Sequence, residues 1–256
     1  MSDLLTRILS APLGNTYIFS VGQAGFIVKN KCGQLLGIDL YLSDCVERIE
    51  GHVGYHRLLP KLLDPSEIEL DVLIATHAHK DHFDDDAMPA LMKNNKTRLF
   101  ASLGCINDVK RLCIPDKNTV YVAPDAYYRE GSFELDFINC DHGTGAPDAI
   151  GVIVTVDDKR ILIVGDSCLR LDRTDEYLKK GRLDVLIAPI NGAYGNLNEN
   201  ECVLLAKALQ PKLTIPCHYG MFASHGGNPG IFYEEMKNNC PSLDFKLMCQ
   251  GEGIVL

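Results

Sequence analysis

Residues 72–82 read VLIATHAHKDH. An apolar, strand-like run leads directly into His77, His79, Asp81 and His82, four candidate donors in six residues. Eight histidines scattered over 256 residues do not produce that density. Side chains alternate in an extended segment, so His77 and His79 point to one side. Asp81 and His82 then fall at the turn into a following helix. Imidazole nitrogen and carboxylate oxygen are ligands that Zn2+, Mn2+ and Fe2+ accept. The competing explanation is an exposed polar loop, which leaves the density of donors unaccounted for.

Three more groups leave apolar runs in the same manner. His142 follows FELDFINCD, Asp166 follows KRILIVG, and His218 follows KLTIPC. Each alone reads more readily as an ordinary surface or core residue. Together they share the position of the His77 cluster, the loop leaving a strand.

The elements that must position them alternate along the chain. Strands are expected at Thr16–Val21, Phe26–Lys29, Gln34–Asp39, Val72–Thr76, Arg98–Ala101, Phe133–Asn139, Gly151–Val156, Arg160–Val164, Val185–Ala188, Leu213–Pro216 and Ile254–Leu256. Helices are expected at Asp85–Asn94, Cys105–Leu112, Thr174–Lys180, Glu199–Leu209 and Pro229–Asn239, with Pro89 set to break or kink the first. The run LDVLIA occurs twice, at 70–75 and 183–188. Before each copy a strand ends in an acid, Asp39 or Asp166, and after each come a helix and a strand. An internal duplication follows. Two such halves packed sheet to sheet give an α/β fold, an αββα sandwich of two mixed sheets with helices outside. No linker interrupts residues 1–256, so one domain is expected.

Composition narrows the partners. The net charge is −9 and no run of Lys or Arg exceeds two, which argues against nucleic acid. No apolar run is long enough to span a bilayer, and the N-terminus lacks the apolar core of a signal peptide. The ten cysteines form no Cys-x-x-Cys pair and read as free thiols in a reducing compartment. A cytoplasmic protein with a small-molecule substrate is expected, without a nucleic-acid or membrane partner and with homo-oligomerisation left open.

The order HAHKDH, DHG, GDS and CHYG resembles the metallo-β-lactamase superfamily. The resemblance covers nearly the whole chain and implies the same αββα fold. It implies two divalent ions, Zn or Mn with Fe as a further option. His77, His79 and His142 would hold the first, Asp81, His82 and His218 the second, and Asp166 would bridge them. Asp39, ending LLGID, would support the metal-binding loop by hydrogen bonds. LIATHAHKDH, the GDS at 165–167 and IPCHYGMF at 215–222 resemble, more finely, the branch containing L-ascorbate-6-phosphate lactonase.

Such a centre activates water for attack on carbonyl or phosphorus. Asp166 would fix the spacing and Asp81 would orient the water or pass a proton. The leading expectation is opening of a lactone or similar ester of a sugar acid, with or without a phosphate. A phosphodiesterase is the alternative, and a metal-binding module without catalysis the third reading. The Gly-rich segments PINGAYGN and HYGMFASHGGNPG offer Asn191, Tyr194, Tyr219 and His225 as substrate contacts. Lys80, inside the metal motif, either meets an anion or is solvated. Cys168 and Cys217 flank expected ligands, but those positions are already filled by Asp and His.

Overall fold

The computed structural model describes residues 2–51 and 53–256. Its strands are β1 (Tyr17–Gly22), β2 (Gly25–Lys29), β3 (Leu35–Ile38), β4 (Val72–Ala75), β5 (Arg98–Ser102), β6 (Thr119–Val122), β7 (Tyr127–Glu130), β8 (Phe133–Asn139), β9 (Ile150–Val156), β10 (Lys159–Ile163), β11 (Val185–Pro189), β12 (Leu213–Cys217), β13 (Asp244–Phe245) and β14 (Gly253–Val255). The helices are α1 (Asp3–Ser10), α2 (Cys45–Glu50), α3 (Met88–Leu91), α4 (Ile106–Arg111), α5 (Thr174–Leu178), α6 (Glu199–Leu209) and α7 (Pro229–Asn239). One seven-stranded sheet runs β14-β1-β2-β3-β4-β5-β6, the other β13-β12-β11-β10-β9-β8-β7. Both are mixed, as expected.

Alternation along each strand builds three apolar layers. Val72 and Ile74 of β4, with Val185 and Ile187 of β11, face the core between the sheets. Leu73 and Ala75 turn outward to Leu4, Leu5 and Ile8 of α1 and to Met88 and Leu91 of α3. Leu186 and Ala188 turn outward to α6 and α7. The two LDVLIA copies therefore have the same parity, each with helices on its outer face. This is the αββα sandwich.

Strand direction then places the site. β3, β4 and β5 are parallel, as are β10, β11 and β12. Two antiparallel steps turn β1 and β8 the same way as β3 and β10. The C-terminal ends of these strands open on one rim, where ligand sites of α/β proteins form.

Some elements differ from expectation. The helix foreseen over Asp85–Asn94 is only α3, because Pro89 sits in its first turn and Asp84–Asp86 form the entry. Five elements were not foreseen: α1, α2, β6, β7 and the two-residue β13. α1 is held by Ser2, whose hydroxyl accepts from Leu5 N at 3.2 Å, and by buried Lys29, whose Nζ donates to the carbonyls of Ile8, Leu9 and Ala11 at 2.8–3.0 Å. β7 is an edge strand with exposed and half-buried residues, which breaks the apolar pattern used to find strands.

Asp84 fixes the loop between metal motif and α3. Its buried carboxylate accepts from Leu42 N, Ser43 N and Ser43 Oγ at 2.6–2.8 Å, and from Asp86 N and Ala87 N at 3.0 Å. It joins the loop after β3 to the loop after β4. Asp84→Ala orphans these buried donors and should cost about 3 kcal/mol, a fall of about 6–12 °C in Tm. A Tm within about 2 °C of wild type contradicts that role.

Candidate metal centre

His77 leaves β4, and the chain turns at once, with His82 N and Phe83 N donating to His79 O at 3.0 and 2.7 Å. That turn brings His77, His79, Asp81 and His82 to the rim. His142 arrives after β8, Asp166 after β10 and His218 after β12. Seven side chains converge as the sequence implies. Six are buried and His79 faces a cleft.

They form overlapping donor groups: His77, His79 and His142; His77, His82 and Asp166; Asp81, His82 and His218. His77 Nε2 and His142 Nε2 stand 2.9 and 3.1 Å from His79 Nδ1. His218 Nε2 is 3.3 Å from Asp81 Oδ2 and 3.4 Å from His82 Nε2. Asp166 lies between the sets, with Oδ2 3.6 Å from His142 Nε2 and 3.1 Å from His218 Nε2. Nitrogen ligands about 2.0–2.1 Å from one tetrahedral ion stand about 3.3 Å apart, so these separations match those of ligands sharing a cation.

The electrostatics agree. Burial holds His77 well below the usual histidine range and lowers His79 and His142, leaving three neutral imidazoles packed edge to face. Burial also opposes charge on His82 and His218, but Asp166 and Asp81 outweigh it. His82 is raised well above its ordinary value, and His218 to about 9. Burial favours neutral Asp81 and Asp166, yet the same two histidines hold both well below the carboxylate range. His142 Nδ1 and Asp166 Oδ1 are buried without a hydrogen-bond partner. Clustered neutral imidazoles, ionised carboxylates and an orphaned carboxylate oxygen fit a divalent metal site. The donors are nitrogen and oxygen. Neither Cys168 nor Cys217 joins a donor group, and burial raises the Cys217 thiol well above its normal value.

Asp39 supports the cluster from behind. Its Oδ1 accepts from Thr76 N at 2.8 Å, and its Oδ2 accepts from Thr76 Oγ1 at 2.7 Å and faces His82 Nδ1 at 2.8 Å. A proton on Nδ1 leaves Nε2 of His82 free for a ligand role. Asn196 Nδ2 donates to Asp166 Oδ2 at 2.9 Å and to Asn191 Oδ1 at 3.2 Å.

A cleft of about 600 Å3 opens over His79, Asp81, His142 and Asp166. Val46, Ile49, Tyr55, Ala78, Tyr194 and His225 form much of its wall. The Tyr55 and Tyr194 hydroxyls meet at 3.1 Å, joining loops from the two halves of the chain. Of the four expected substrate contacts, Tyr194 and His225 line the cleft. Asn191 and Tyr219 do not: Asn191 is buried behind Asp166 through Asn196, and Tyr219 packs against the core beneath α6 and α7. Lys80 lies at the wall but is bound to Asp85 at 3.1 Å and Asp108 at 2.7 Å. Sequence reasoning passed over Thr76, Asn196, Gln23 and the α2 wall. Only the wall carried a signal, Val46 and Ile49 one helical turn apart.

An αββα sandwich with histidines and aspartates gathered at its strand ends presents a candidate divalent-metal site. The model of the beta-lactamase superfamily domain matches residues 17–218, and the chain belongs to the metallo-β-lactamase superfamily. It is 26% identical over 199 residues to a UPF0173 metal-dependent hydrolase of Archaeoglobus fulgidus, covering 73% of this chain and 83% of that one. Among solved structures it resembles a possible metal-dependent hydrolase of Veillonella parvula, with TM-score 0.77, 17% identity, and 95% and 100% of the two chains covered. It also resembles Igni18, a metallo hydrolase of Ignicoccus hospitalis, with TM-score 0.74, 19% identity, and 94% and 98% covered. The chain is thus a metal-dependent hydrolase of this superfamily.

Asp39→Ala should weaken divalent-metal binding about 10–100-fold while leaving the circular dichroism spectrum intact. Unchanged affinity by calorimetry would show that His82 needs no such support.

Proposed function

We propose that the chain hydrolyses a lactone or similar carboxylic ester at a centre of two divalent ions. His77, His79 and His142 would hold one, Asp81, His82 and His218 the other, with Asp166 shared. Zn2+, Mn2+ or Fe2+ suits a set of nitrogen and oxygen donors without sulfur. Bound there, such ions acidify water and polarise an ester carbonyl.

The protein's own groups do the rest. Asp81 faces the cleft as a carboxylate, because His82 and His218 outweigh its burial, and so can orient attacking water by accepting its hydrogen bond. Asp166 keeps the two donor sets in register. Tyr194 and His225 border the substrate, and Val46, Ile49 and Ala78 exclude water from its apolar part.

The observation that carries the ester reading is the character of the cleft. Its described walls are chiefly apolar, Glu50 adds a negative charge, and Lys80 is already neutralised by two aspartates. That suits a neutral carbonyl compound better than a phosphodiester or a phosphorylated sugar acid. On this reading the substrate is a small molecule and the compartment the cytoplasm, where ten unpaired cysteines stay reduced.

The test is turnover by protein loaded with Zn2+ or Mn2+ on three probes: an unphosphorylated lactone, L-ascorbate 6-phosphate and bis-p-nitrophenyl phosphate. The lactone is expected to lead in kcat/KM, and Asp81→Asn to lose at least about 100-fold. A phosphodiester that leads contradicts the ester reading. Full rate and full metal content in Asp81→Asn contradict the role of Asp81.

A further inference from the structure

The β1–β2 turn, Gly22–Gly25, enters the metal centre from behind, away from the cleft. Its residue Gln23 is 4% exposed and takes a backbone φ of +55°, the left-handed region, which a residue with a side chain adopts at a cost of about 1 kcal/mol or more. The Gln23 side chain donates from Nε2 to Asp81 Oδ2 at 2.8 Å. The same Nε2 lies 3.2 Å from His218 Nε2 and 3.3 Å from His218 Nδ1, and so rests beside that imidazole. The Gln23 carbonyl accepts from His218 N at 2.9 Å. His218 is itself left-handed, with φ +61°.

One residue therefore grips two expected ligands of the same ion, Asp81 from the first sheet and His218 from the second. No hydrogen bond links Gln23 to His77, His79 or His142 among the described residues. Its Oε1 is buried without a partner. A buried, unsatisfied oxygen costs about 1–3 kcal/mol, a cost that a hydrocarbon side chain would avoid. The amide stays at that cost, on a strained backbone, against one side of a two-sided site.

We propose that Gln23 is a positioning residue for the second ion alone: its amide holds the Asp81 carboxylate, and its carbonyl holds the His218 backbone, in the arrangement that the Asp81–His82–His218 site needs. The proposal rests on the two-ion reading above. Gln23 does not line the cleft; it reaches catalysis through Asp81 and His218, so the separate ion affinities rather than the rate read its role.

Gln23→Met tests this, because methionine nearly matches the length of glutamine and lacks the amide. It leaves the backbone bond to His218 N in place. Stepwise Zn2+ titration by calorimetry, with elemental analysis of dialysed protein, reads the two affinities separately. The second affinity should fall about 10–100-fold with the first unchanged, and excess Zn2+ should restore two ions per chain. Gln23→Ala should give the same split, and the Tm of each metal-free variant identifies any loss of folding. Equal weakening of both ions, or two wild-type affinities in Gln23→Met, overturns the proposal while the two-ion reading stands. A wild-type protein that takes up a single ion refutes both.

Discussion

Neutral imidazoles and ionised carboxylates repel one another when their lone pairs converge away from water. At the rim of this sandwich His77 and His142 bring ring nitrogens to 2.9 and 3.1 Å from His79 Nδ1, and Asp166 and Asp81 add two carboxylates nearby. Burial of such groups is costly unless each is paired, and the protons on His82 and His218 pair only some of them. A cation completes the pairing. The surroundings must still prevent the cluster from relaxing apart when empty. Asp39 with Thr76, Asp84 with the loop at 42–43, and Asn196 with Asp166 each fasten a donor-bearing loop to a neighbouring strand end. The site is thus an expense of the fold that metal binding offsets.

The two halves contribute unequally, and one residue explains much of the difference. After the first LDVLIA comes Thr76, whose N–H and hydroxyl, with His82 Nδ1, occupy Asp39. After the second comes Pro189, which has no N–H to give. The register differs too. Ile38 lies opposite Ile74 and Ile163 opposite Ile187, so Asp39 directly follows its paired residue while Asp166 lies two residues further on, beyond Gly165 at φ +70°. The carboxylate of the first half stays behind as a support. That of the second reaches into the seam, with Oδ1 3.4 Å from His82 Nε2 and Oδ2 3.1 Å from His218 Nε2. A common strand order has yielded one structural acid and one acid set between two donor groups.

Much of this was legible in the sequence. HAHKDH concentrates donors too densely to be missed, and His142, Asp166 and His218 share a strand-end position with it. The repeated LDVLIA, with equal parity in both copies, revealed the two-sheet architecture. Of the missed elements, β7 has a weak pattern because it is an exposed edge strand, whereas α1 carries a helical stripe of Leu4, Leu5 and Ile8 behind the Ser2 cap. Single polar residues in turns were illegible for a different reason. Gln23, Thr76 and Asn196 carry no spacing, and only three-dimensional convergence shows their partners. Asn191 and Tyr219 were placed in the cleft because their segments are rich in glycine. Flexible composition does not fix which way a side chain turns, and here both turn inward.

The central claim is that one carboxylate joins two adjacent ions. Electron paramagnetic resonance of metal-free protein titrated with Mn2+ reads this directly. At two equivalents the account predicts a spin-coupled spectrum from paired ions, which Asp166→Ala removes. Two equivalents bound with only the six-line signal of isolated Mn2+, or saturation at one equivalent, would contradict it.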